Sequence, residues 1–128
     1  MIDLSRLMKI EHHIDTIGVR RYSANEQPSI VELTSHPRAT LAGRDIIIVE
    51  DVIDIGLSMH FIKRFLEIQS PPPASIKIFV LGWKKSMSQI DFEPDYIGFE
   101  LGPEWIVGEG MDSNQGLRNL RGIWQKES

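Results

Sequence analysis

The chain has 128 residues, of which 41% are hydrophobic and 25% charged, values that exclude wholesale disorder and fit one domain with its own core. Fourteen Lys and Arg stand against eighteen Asp and Glu, a net charge of −4, and an acidic chain without a basic block is a poor partner for nucleic acid or an anionic membrane. The absence of Cys removes disulfides, zinc–thiolate sites and thiol catalysis, and fits a cytoplasmic protein. No apolar run is long enough to span a bilayer, and the start of the chain has no uninterrupted apolar core of the kind a signal peptide needs.

In chain order, Ile2, Leu4, Leu7, Met8 and Ile10 have partly helical spacing and predict a short helix over 2–10. Residues 13–20 alternate and predict a strand. The polar run 23–29 predicts a mobile loop, followed by a return strand at Ile30–Leu33. Gly43 turns the chain into Ile46-Ile47-Ile48-Val49, which is apolar on both faces and reads as a buried, central strand. Met59, Ile62, Phe65 and Leu66 then follow a helical period from Ser58 to Ile68, which Pro71-Pro72-Pro73 brings to an end. Ile76–Leu81 is the next strand, so strand, helix and strand make a right-handed unit with parallel pairing. Shorter strands are expected at Tyr96–Phe99 and 105–107. The class is α/β.

The chemistry concentrates in 46–59, IIIVEDVIDIGLSM. Glu50, Asp51 and Asp54 lie where a buried strand ends, and Gly56 and Ser58 lie where a helix begins. Ligands of open α/β sheets bind beyond the carboxyl ends of the strands. A glycine loop entering a helix offers unpaired N–H groups that suit a phosphate, and neighbouring carboxylates accept hydrogen bonds from vicinal hydroxyls. Sugar acceptors beside a phosphate cradle imply a ribose 5-phosphate. A lone acid in this position would read as a helix cap; three acids in five residues followed by Gly and Ser favour the ligand. The four histidines show no metal-binding spacing and read as surface or packing residues.

VEDVIDIGLS resembles the phosphoribosyl-diphosphate (PRPP) motif of type I phosphoribosyltransferases, and PDYIGFELGPEWIVGEGMD with NQGLRNL is similar to the C-terminal half of the hypoxanthine-guanine members. The resemblance covers roughly residues 12–122. It implies a mainly parallel sheet flanked by helices, with a flap loop or hairpin, in a single domain over 1–128. It also implies transfer of 5-phosphoribosyl from PRPP to N9 of hypoxanthine or guanine, with Mg²⁺ as cofactor and pyrophosphate released.

Carried over residue by residue, Glu50 and Asp51 bind the ribose hydroxyls, Asp54 is the general acid/base, and Asp54, Ile55, Gly56, Leu57 and Ser58 form the phosphate loop. The family usually has Thr where this chain has Ile55, so one hydroxyl donor, worth about 1 kcal/mol, is missing. Lys84 answers the purine 6-oxo group, Trp105 stacks on the base, and Ile106 offers its backbone to the purine edge. Asp112 holds Mg²⁺, and Arg118 binds pyrophosphate. Arg21 and Tyr22 resemble the Ser-Tyr pair of the flap, with Tyr matched and Ser not. Asp95 and Glu100 match family positions and read as structural, while Trp83 and Trp124 read as core.

The family pattern begins with a further helix, a buried strand and a Lys-Gly loop for pyrophosphate. This sequence contains no such loop, so a domain without the usual first strand is expected. An open sheet edge and a homodimer or larger assembly follow. The competing reading is a non-catalytic PRPP- or nucleotide-binding module with a regulatory or assembly role.

Overall fold

The computed structural model describes residues 1–22 and 30–126, so the expected mobile loop at 23–29 lies outside the described residues. The framework is a three-stranded parallel sheet in the order β3-β4-β5, formed by Asp45–Ile53, Ser75–Trp83 and Tyr96–Glu100. An antiparallel hairpin precedes it, β1 (Gly18–Tyr22) with β2 (Ile30–Ser35), and a small ladder follows it, β6 (Ile106–Val107) with β7 (Trp124–Gln125).

Helix α2 (Leu57–Glu67) crosses between β3 and β4. Met59, Ile62 and Leu66 form its buried stripe, and they pack with Ile48, Ile53, Ile78, Val80 and Trp83 in the core cluster. Val19 of the hairpin and Ile17 before it pack against the same cluster. The opposite side of the helix carries Lys63, Arg64 and Glu67, which pair with one another in water.

Several expectations need correction. Helix α1 covers only Ile2–Leu7, because Met8 is already extended. Residues 13–17 are not a strand, and β1 begins at Gly18. The carboxylate of Asp15 instead takes N–H groups from Thr16, Arg38 and Ala39, which ties this segment to a loop rather than to a ladder.

The Ile46–Val49 strand is longer than expected and is not central. It runs to Ile53, so Glu50 and Asp51 sit within it, and β4 holds the middle of the sheet. Among the described residues the outer edge of β3 has no partner strand. Trp124 lies in β7 and is exposed rather than in the core, while Trp83 is buried as expected. Asp95 does act structurally, taking a 2.7 Å bond from Lys77 and the N–H of Ile78 across β4.

Candidate active site

The site forms where β3 and β4 end. Between β3 and α2 the chain must reverse within three residues, and Gly56 allows this at φ +86° as the N-cap of α2. No side chain caps that helix and no acid occupies its first turn. The N–H groups of Leu57 and Ser58 therefore point into the cradle beside the positive end of the helix dipole. The loop after β4 supports this turn from the other side. The N–H of Lys84 bonds Ile53 O at 2.9 Å, and the N–H of Gln89 bonds Ile55 O at 3.0 Å. Ile90 and Ser88 stand against Gly56 where a side chain would be.

Lys84 is only 4% exposed, an uncommon place for an ammonium group. Its Nζ lies 3.7 Å from Asp54 Oδ1 and 5.8 Å from the centre of the Trp105 ring. Asp54 Oδ1 is itself buried and has no hydrogen-bond partner among the described residues. A buried cation thus faces a carboxylate on one side and an aromatic face on the other, arranged to receive a flat group with an acceptor oxygen.

Trp105 joins this pair to the last two expected residues. Its indole N–H donates to the backbone oxygen of Asp112 at 2.8 Å. Asp112 Oδ1 pairs with Arg118 at 2.9 Å, and Oδ2 accepts the N–H of Gln115 at 2.7 Å. Arg118 also donates to Gly110 O and Gln115 Oε1, so its guanidinium braces the 110–118 loop. Ile106, in β6, is half-buried, and its ladder partner is Gln125.

Glu50 and Asp51 are consecutive on β3. Burial first, and the neighbouring Asp51 carboxylate second, push the Glu50 carboxyl up to about 7. Arg21 and Tyr22 end β1, and Tyr22 is exposed with its hydroxyl accepting from Arg20. No hydrogen bond or ion pair among the described residues joins that pair to the Asp54–Lys84–Trp105 group.

Asp112 is the one expected metal ligand, and no group of three or more candidate ligands exists among the described residues. Magnesium bound to phosphates needs only one or two protein carboxylates, so Asp112 suits an ion arriving with its substrate rather than a resident one. The residues that sequence reading missed are Ser88, Gln89 and Ile90, the second wall of the cradle. Backbone bonds bring them there, and no motif spacing carries that signal.

A family model described as phosphoribosyl transferase domain matches residues 3–114. The chain belongs to the phosphoribosyltransferase family. A hypoxanthine-guanine phosphoribosyltransferase of Lactococcus lactis is 36% identical to this phosphoribosyltransferase chain over 121 residues, which are 91% of the chain and 64% of the relative. A crystal structure of a Staphylococcus aureus hypoxanthine phosphoribosyltransferase superposes with a TM-score of 0.90 at 25% identity, covering 98% of the chain and 68% of that protein. A Bacillus anthracis hypoxanthine-guanine phosphoribosyltransferase with a HEPES molecule in its active site gives 0.83 at 34% identity, covering 95% and 69%. This phosphoribosyltransferase chain thus spans about two thirds of the length of such relatives.

Proposed function

We propose that the chain is a single phosphoribosyltransferase-like domain of purine salvage, which transfers 5-phosphoribosyl from PRPP to N9 of hypoxanthine or guanine to form IMP or GMP. The observation that carries this reading is the buried Lys84 ammonium set between Asp54 and the Trp105 ring. A purine stacked on Trp105 turns its 6-oxo oxygen to a cation that an amino group would repel, and its imidazole edge to Asp54.

In the reaction the bond from C1 of the ribose to pyrophosphate breaks, its electron pair leaving with pyrophosphate. N9 supplies the pair for the new bond, and the ring proton passes to Asp54. Glu50 and Asp51 accept hydrogen bonds from the ribose hydroxyls, while the N–H groups from Ile55 to Ser58 hold the 5-phosphate. Asp112 would hold Mg²⁺, which would supply positive charge for the leaving pyrophosphate. Arg118, beside Asp112 at 2.9 Å, would offer its guanidinium to the same group. Arg21 and Tyr22 belong to a flap that excludes water from the reacting carbon. The reading assigns the activity to the cytoplasm and to a homo-oligomer.

The test is product formation by the purified chain with PRPP, Mg²⁺ and hypoxanthine, guanine or xanthine in turn. IMP or GMP is the expected product, and Asp54→Asn lowers kcat about 100-fold or more while calorimetry still records PRPP binding. PRPP binding without turnover would leave only a binding module, and no binding would remove both readings.

A further inference from the structure

The segment that follows β4 serves both halves of the site. It begins at Lys84, which faces Asp54 and Trp105. It then turns on itself, the N–H groups of Met87 and Ser88 bonding Lys84 O at 3.0 and 3.1 Å. Next, the Gln89 N–H bonds Ile55 O at 3.0 Å, and Ile90 closes on Gly56. Lys85 and Glu93, paired at 3.0 Å, draw the two ends together. Residues 84–93 are thus a closed strap that runs from the buried ammonium to the second wall of the cradle.

The strap meets α2 again one turn into the helix. Asp91 Oδ1 lies 3.4 Å from His60 Nδ1, and the Phe92 ring stacks on the His60 ring, 6.3 Å between centres and 25° between planes. The Lys63 ammonium stands 5.2 Å from the centre of the same Phe92 ring. A cleft of about 100 Å³, lined by His60, Lys63, Arg64, Asp91 and Phe92, opens beside these contacts. Side-chain tips rather than close packing therefore join helix and strap there. His60 also reaches the cradle by its backbone, since its N–H donates to Gly56 O at 2.9 Å and closes the first helical bond of α2. One residue thus touches both walls, Gly56 through its backbone and the strap through its ring.

As a source of stability this contact is poor. The His60 side chain is 41% exposed and that of Asp91 67%, and exposed pairs of this kind contribute little to folding. Aim is another matter, because a binding group displaced by about 1 Å can cost about 100-fold in rate. We propose that His60 is a positioning residue of the phosphate cradle. Acting through Asp91 and Phe92, it holds the strap against Gly56 and so fixes the direction of the N–H groups of Leu57 and Ser58. The role rests on the cradle being the seat of the PRPP 5-phosphate. Affinity for that phosphate is then set in part by side chains that touch no ligand.

Calorimetry and initial rates on the purified chain test this. His60→Ala raises the Kd and KM for PRPP about tenfold and leaves kcat and the KM for the purine within about twofold. Its urea midpoint stays that of the wild type. Asp91→Ala has the same effect, and the double variant is no worse than either single one. Asp91→Glu, which keeps the carboxylate, keeps the wild-type Kd. His36→Ala, at a ring contact with Phe65 nearer the other end of α2, alters neither Kd nor KM. In the ligand-free chain the Gln89 amide, bonded to Ile55 O, exchanges its hydrogen faster in His60→Ala. A wild-type chain that binds PRPP beside a His60→Ala variant with the same Kd overturns the positioning role alone. So does unchanged exchange at Gln89, and so does a parallel loss of purine affinity and urea stability, which would mark a purely structural contact. A wild-type chain that binds no PRPP overturns the reading of the cradle, and this role with it.

Discussion

Lys84 and Asp54 make an asymmetric pair: the ammonium is buried, while the carboxylate has one sequestered oxygen and an otherwise half-exposed side chain. A buried ion pair held at 3.7 Å, without a hydrogen bond, contributes little to stability and much to what the site can recognise. Lys84→Met, close in volume, leaves the buried Asp54 Oδ1 without its cation and should lower the stability of the chain by about 1–3 kcal/mol, as read by urea unfolding. It should weaken GMP binding about tenfold or more, as read by calorimetry, since a bond to a charged donor is worth roughly 1.5–3 kcal/mol. Glu50 gives the pH dependence. Its folded value of about 7 lies above the ordinary 4.5, so the folded state binds the extra proton. The associated stability is full below about 4.5 and is lost as pH rises through about 7, by up to about 3 kcal/mol. Glu50→Gln is expected to flatten that slope and to raise stability at pH 8, measured by urea unfolding across pH.

At the scale of elements, the turn from β3 into α2 depends on one residue. Gly56 has φ +86°, and a Cβ there would run into the Ile90 side chain. Gly56→Ala combines left-handed backbone strain with overpacking, together about 2–4 kcal/mol. The expected result is a lower urea midpoint and, in calorimetry, weakened PRPP binding, because the first N–H groups of α2 lose their aim. The 108–118 loop has a related character. Glu109, Asn114, Gln115 and Leu117 all have positive φ, and Asp112, Gln115 and Arg118 hold the loop by side-chain bonds. Strain of this kind persists only where surrounding contacts over-determine it, and here those contacts come from residues expected to bind Mg²⁺ and pyrophosphate.

For the whole molecule, the main feature among the described residues is a parallel sheet with helix α2 packed on one face. On the other face Ile47 and Tyr96 are 42% and 51% exposed among the described residues, so their side chains contribute little burial to this fold. Ile47→Thr should therefore shift the stability of the chain by no more than about 0.5 kcal/mol, as read by urea unfolding.

The local signals in the sequence were those with short-range causes. The β3-α2-β4 unit was legible because an all-apolar run, a 3.6-residue stripe and a proline stop are each set by neighbouring residues. The PRPP-like segment was legible because acids, glycine and helix start lie within nine residues of one another. The alternation at 13–17 misled, because it was real but Asp15 had backbone N–H groups of a distant loop to bind instead of a strand to pair with. Likewise, IIIV is equally apolar in the middle of a sheet and at its edge, so only the strand order placed β3 outermost. What the sequence determined by itself was the α/β class and the run of acids, glycine and serine that enters α2, since these rest on periodicity and spacing along the chain. Only the tertiary structure decided that Lys84 would be buried between Asp54 and Trp105, that Asp112 would pair with Arg118, and that β4 rather than β3 would hold the middle of the sheet. Those facts depend on which distant surfaces exclude water from one another, and burial is a property of the assembled core rather than of any segment in it.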